Sequence, residues 1–159
     1  MHITIISVGR IKEKYLQEGI AEYEKRLRPY VKLDTIEITE EKRAVRLSIS
    51  DQKRIMDAEG KRILGSIPHD SVAIVLALKG NEWSSETLAE NIRGYEIAGR
   101  NSLCFIIGGD LGLSESVIAK SHVRLSLSQM TFTHQMIRLI ILEQIYRACK
   151  INHHEPYHK

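Results

Sequence analysis

The sequence predicts an α/β domain on a mostly parallel central sheet. Two continuous apolar runs, Ser71 to Leu78 and Leu103 to Ile107, have the character of strands covered on both faces. Segments of helical period stand between strand-like segments along most of the chain, giving the order β-α-β-α-β-α. A length of 159 residues fits one compact domain, 1–159, large enough to bury a core without covalent staples.

Hydrophobic residues make up 43% of the chain and charged residues 27%, the balance of a soluble globular protein. The net charge of +3 permits a polyanionic partner without demanding one. Cys104 and Cys149 stand alone in apolar contexts, with no CxxC pair, and read as core packing. Strand-like residues begin at Ile3, and no apolar run reaches the roughly 18 residues of a membrane span. These features point to a reduced, cytoplasmic compartment and no membrane.

Ile3 to Val8 is a β-rich run closed by Gly9. From Ile11 to Tyr30, Leu16, Ile20, Tyr23 and Leu27 recur at steps of three and four and define one apolar helix face. The opposite face carries Lys12, Lys14, Lys25, Arg26 and Arg28, a solvated face or an RNA contact. Leu33 to Ile38 alternates as a half-exposed strand near an edge. Thr39 to Ser50 has no period and reads as a loop, and Asp51 to Gly65 as a helix capped by Ser50 or Asp51. After Ser71 to Leu78, the polar stretch Lys79 to Trp83 leaves the sheet. Ser84 or Ser85 caps a helix to about Ile97, and Gly99 closes it. Leu103 to Ile107 precedes Gly108-Gly109-Asp110-Leu111-Gly112 and a short helix capped by Ser114. Val123 to Leu127 is the last strand, and the last helix runs from Thr133 to near Ile151. That helix is apolar on nearly every side. It is either a central core helix or one packed on a second subunit, and a symmetric dimer is the favoured reading.

Three loops leave the carboxyl ends of the predicted core strands: Leu76 to Asn81, Gly108 to Gly112 and Leu127 to Phe132. In open α/β sheets, ligands gather outside those ends. The glycines do not form the dinucleotide fingerprint or a P-loop. His134, in the first turn of the last helix, is either a cap-region side chain or a neutral imidazole able to accept a proton. Arg138, one turn on, is placed to hold a phosphate or an oxygen. His153, His154 and His158 lack a second ligand group at metal-site spacing, so no metal is expected. Pro156-Tyr157-His158-Lys159 is either a loose tail or one that folds over an active site.

Several motifs carry a family resemblance. Lys12-Glu13-Lys14-Tyr15 after Gly9, Glu22 to Leu27, Phe105-Ile106-Ile107-Gly108-Gly109, Leu125 to Met136, Glu143 to Ala148 and the terminal Tyr157-His158-Lys159 resemble the bacterial ribosomal large-subunit pseudouridine methyltransferase family, a minimal branch of the SPOUT class. The resemblance covers the whole chain. It implies a SPOUT-type α/β knot, with a trefoil knot in the C-terminal part. It also implies a homodimer that uses S-adenosylmethionine to methylate N3 of a pseudouridine in large-subunit ribosomal RNA on assembled ribosomes.

Family cofactor positions fall on Leu76, Gly108, Leu127, Ser128, Gln129, Met130, Thr131 and Phe132. His134, Arg138, Tyr157 and His158 fall on positions of the catalytic and RNA-facing region. Thr133 replaces the proline usual in the family and is able to cap the helix itself. Asp110-Leu111 also departs from many relatives. The competing readings are a non-catalytic ribosome- or RNA-binding protein and a SPOUT methyltransferase of another RNA, such as tRNA.

Overall fold

A computed structural model describes all 159 residues. Five strands, β1 (His2–Val8), β2 (Lys32–Ile38), β3 (Val72–Glu82), β4 (Ser102–Ile107) and β5 (Val123–Ser126), form one sheet of order β2-β1-β4-β3-β5. Every pairing is parallel. Five helices connect and cover it: α1 (Lys14–Leu27), α2 (Ile49–Ser66), α3 (Ser85–Ile97), α4 (Glu115–Lys120) and α5 (His134–Asn152).

Side-chain alternation along the strands sorts the core into two layers. Ile3 and Ile5 of β1, with Leu103, Phe105 and Ile107 of β4, join Leu27, Leu88, Ile141 and Ile145 beneath α1, α3 and α5. Ile6 and Val8, with Cys104 and Ile106, meet Ile63 and Val117 beneath α2 and α4. Phe105 and Ile106 are fully buried, and side chains of that kind each contribute about 1.5–3 kcal/mol by leaving water. The edge strand β2 keeps a mostly open face, as its alternation predicts.

Four boundaries differ from the sequence reading. Helix α1 begins at Lys14 rather than Ile11. Gln17 Nε2 donates to the Ile11 carbonyl, and the Lys12 N–H donates to Gln135 Oε1 of α5, which holds this entry segment out of the helix. Helix α2 is capped by Ser48, not Ser50 or Asp51. Ser48 Oγ accepts from the Asp51 N–H, and the Asp51 carboxylate accepts from the Ser48 N–H, a reciprocal capping box. The stretch Lys79 to Glu82 does not leave the sheet. Leu76 and Asn81 both stand opposite Leu125, Ala77 to Gly80 bulge between them, and Glu82 pairs with Ser126. Strand β5 stops at Ser126, one residue short of Leu127.

Helix α5 lies between α1 and α3, so its flanks are covered within the chain. Leu139 packs over Gly19 of α1, and Gln144 Oε1 accepts from Ser85 Oγ of α3. Arg138, Ile141, Leu142, Ile145, Tyr146, Ala148 and Cys149 are buried, and the remaining residues of α5 are half-buried. No helix is long and apolar enough to cross a membrane.

Candidate active site

Strand register gathers three loops at one rim. Leu76 stands opposite Leu125, and the pairing of Val75 with Ile106 sets Ile107 beside Leu76. Gly108 and the Leu127 loop therefore leave the sheet next to Leu76, on strands spaced about 4.8 Å apart. Gly108 is buried because the turn folds back on it. A Cβ there would lie 2.9 Å from the Gly112 carbonyl carbon, and Gly112 takes φ +91°. Gly80, in the β3 bulge, would place a Cβ 2.7 Å from the Leu125 backbone, so the bulge lies hard against β5.

From Leu127 to Phe132 the chain is an open loop. Ser126 Oγ donates to the Ser128 carbonyl, and Ser128 Oγ accepts from the Met130 N–H. The N–H groups of Leu127, Gln129, Thr131 and Phe132 take no backbone acceptor. Met130 is 75% exposed, and Phe132 also faces solvent. Thr133 then caps α5, its Oγ1 accepting from the Met136 N–H at 3.3 Å, as the sequence allowed in place of proline. His134 is the first residue of the helix and is half-buried. It lies close enough to the Asp110 carboxylate to help hold that group below its usual range, alongside the Arg43 guanidinium and against the effect of burial.

Arg138 is placed differently from the sequence expectation. It is 4% exposed, and Nη1 donates to Glu37 Oε1 at 3.1 Å. Nη2 donates to the carbonyl of Val8 at 2.7 Å and also to that of Gly9. The guanidinium is turned into the fold and ties the start of α5 to the end of β1. Burial pushes its pKa down, and Glu37 opposes that.

Tyr157 and His158 are brought together, but away from His134. After His154, at φ +54°, the tail folds back along α5. Tyr157 OH donates to Glu143 Oε1 at 3.1 Å, its ring meets Tyr146 edge-on at 4.9 Å, and Arg147 lies over it at 4.8 Å. Burial, with the neighbouring Tyr23 and Glu143, raises the Tyr157 pKa. His158 Nδ1 faces Arg147 Nη1, which only donates, so the proton sits on Nε2 and goes to Glu86 Oε1 at 2.7 Å. From His134 to Glu143 the helix rises about 14 Å, so one chain does not unite these groups. His153 packs on Tyr30 and contacts the Cys149 carbonyl, and no group of three His, Cys, Asp or Glu is arranged around a metal position.

Sequence reasoning passed over one cluster at this rim. Glu59 of α2 is 1% exposed, yet it sits on the helix stripe of Ile55 and Ile63. Its Oε1 accepts from the Glu41 N–H at 3.0 Å and stands 3.9 Å from Arg43 Nη2. Arg43 Nη1 pairs with Asp110. Burial pushes the Glu59 carboxyl up, against the pull of the Glu41 N–H and Arg43. The signal was a carboxylate in step with an apolar stripe.

A three-layer α/β/α protein with loops opening beyond the carboxyl ends of a parallel sheet belongs to the ligand-binding open-sheet class. Comparison narrows the class. Residues 1–158 match the family described as "Predicted SPOUT methyltransferase", and the chain belongs to that family. It is 55% identical over the full length of both chains to "Ribosomal RNA large subunit methyltransferase H" of Clostridioides difficile strain 630. It is 52% identical, again at full length, to the "Putative ribosomal RNA large subunit methyltransferase H" of Methanoregula boonei, and 50% to the Bacillus pumilus protein bearing the name without "putative". A probable methylase family protein from Haemophilus influenzae Rd KW20 shares the fold at TM-score 0.55 and 12% identity, covering 99% of this chain and 70% of that one.

Proposed function

We propose that this protein methylates large-subunit ribosomal RNA, with S-adenosylmethionine as donor, N3 of a pseudouridine as acceptor and the assembled ribosome as substrate. The observation that carries the reading is the register that sets Leu76, Gly108 and Leu127 to Phe132 at one rim beside His134. Family membership and the names of the relatives support it.

The rim suits that cofactor. Free N–H groups along Leu127 to Phe132 match the polar edge of a purine and a ribose. Leu76, Met130 and Phe132 offer apolar surface for flat faces. The Asp110 carboxylate, 57% exposed, complements a positively charged ligand. When bound, S-adenosylmethionine supplies a methyl group on a sulfonium whose departure leaves a neutral thioether.

The chain has two tasks, to align the acceptor and to take its N3 proton. His134 opens α5 at the rim, where a ring nitrogen is available to take that proton. Tyr157 and His158 lie too far along α5 to reach the same rim in one chain. In a homodimer they face the partner's bound base, held by Glu143, Arg147 and Glu86. Arg138 anchors the helix that carries His134 and takes no direct part in the chemistry.

Calorimetry with S-adenosylmethionine, followed by mass spectrometry of ribosomal RNA methylated in vitro, tests the reading. Saturable heat and a new methyl on a pseudouridine, abolished in His134→Ala, are the expected results. No heat points to a pure RNA binder and overturns the reading. A methyl found only on tRNA overturns the choice of substrate.

A further inference from the structure

Two buried polar atoms of opposite charge converge beneath Gly109 without a hydrogen-bond partner: Glu59 Oε2 and Arg43 Nη2. They would stand 3.5 Å and 3.7 Å from a Cβ built on Gly109. Glu59 is a poor choice for the fold alone. It lies on the buried stripe of α2 between Ile55 and Ile63, where an apolar side chain would pack without the penalty of desolvating a carboxylate. Its one hydrogen bond is from the Glu41 N–H.

The neighbours of Glu59 form a chain of alternating charge. Arg62 of α2 pairs with Glu41 and donates Nη1 to the Thr39 carbonyl at 2.8 Å, fixing the segment that carries Arg43. Arg43 sits between Glu59 and Asp110. Asp110 is at the tip of the Gly108–Gly112 turn and lies within electrostatic range of His134.

We propose that Glu59 is a positioning residue of the ligand loop: it holds Arg43 beneath Gly109, and Arg43 holds Asp110, so the turn is shaped before the nucleotide arrives. This rests on the reading of the rim as an S-adenosylmethionine site. The carboxylate acts through two side chains and touches no ligand itself. Its influence falls on binding rather than on the methyl-transfer step, because a pre-formed turn stabilises the bound ground state and the transition state alike.

The experiment compares the full-length parent, Glu59→Gln, Asp110→Asn and the double variant on ribosomes, with thermal melting of each. In Glu59→Gln the amide keeps the shape and still accepts from Glu41, but the attraction for Arg43 is gone. KM for S-adenosylmethionine is expected to rise about ten-fold, the effect of losing one close ion pair away from bulk water, with kcat within about two-fold. Its melting temperature is expected to equal or exceed that of the parent, which a purely structural carboxylate would not give. Asp110 is largely exposed, so Asp110→Asn folds, and it is expected to raise KM by a similar factor. The double variant is expected to be no worse than either single one, because all three break the same chain. A lower melting temperature in Glu59→Gln, a parent-like KM in Asp110→Asn, or additive losses in the double variant overturn the proposal. A parent that gives no heat with S-adenosylmethionine removes the rim reading itself, whereas a binding parent with a parent-like Glu59→Gln removes only the role of Glu59.

Discussion

Arg138 donates Nη2 to the carbonyl oxygen of Val8 across 2.7 Å, joining the second turn of the last helix to the final residue of the first strand. The same nitrogen also reaches the Gly9 carbonyl, and Nη1 holds Glu37. One buried cation therefore closes the carboxyl rim over β1 and β2. Arg138→Met keeps the length of the side chain and leaves those oxygens unpaired. It is expected to lower stability by about 3 kcal/mol in urea unfolding. Methyl transfer is expected to fall with it, since the anchor sets where His134 stands.

Two glycines of α2 make opposite predictions. A Cβ on Gly60 would meet Ser114 Oγ at 2.1 Å, Ser114 Cβ at 3.0 Å and Val117 Cγ2 at 3.3 Å. Rotating Ser114 away would release the Val117 N–H that it caps. Gly60→Ala is expected to destabilise by about 1–3 kcal/mol despite the better helix propensity of alanine. Gly65 has open space around it, so Gly65→Ala is expected to stabilise by about 0.5–1 kcal/mol. Thermal melting of the two variants reads both signs.

Burial pushes the Cys104 thiol up to about 12 and, as the main cause, the Cys149 thiol to about 11. Neither forms appreciable thiolate at pH 8. Native protein at that pH is expected to consume no disulfide reagent within minutes, and both cysteines to react once unfolded in guanidinium. Fast reaction of Cys149 in the native state would mean that α5 leaves the sheet readily.

Glu86 has its carboxyl pulled down to about 2 by its own backbone N–H in the first turn of α3, then by Ser84 and His158. A depressed folded pKa gives stability that is present above the ordinary value of 4.5 and lost as pH falls toward 2. The melting temperatures of the parent and Glu86→Gln are expected to differ by a constant amount above about pH 5 and to converge toward pH 2. Because His158 donates to this carboxylate, the tail is expected to loosen over the same interval, visible as tyrosine fluorescence from Tyr157.

The parts of the fold legible in the sequence were those where burial dictates residue type. Ile3 to Val8, Leu103 to Ile107 and the first half of β3 are apolar because both faces of a central parallel strand are covered. The far half of β3 was misread because its residues are polar, whereas ladder hydrogen bonds are made by backbone. Gly80 is there because β5 passes against it, a contact with no signature in a single chain read linearly. At the rim, loop positions followed from strand ends, and the Thr133 cap from residue type. The orientation of Arg138 did not, since helix spacing sets the face of a residue and not where a long side chain ends. Glu59 was hidden by its own stripe, being counted as neither core nor surface.

Helix α5 is made last, yet it covers strands that are made first. Until residues 134–152 leave the ribosome, Ile3, Ile5, Leu103 and Phe105 have only α1 and α3 over them, with the strip between those two helices open. The nascent chain thus keeps a strip of its core wet until the last helix emerges, the kind of surface through which unfinished chains associate. A chain stopped before His134 lacks Ile141, Leu142 and Ile145 of that core and is expected to aggregate rather than fold into a smaller domain.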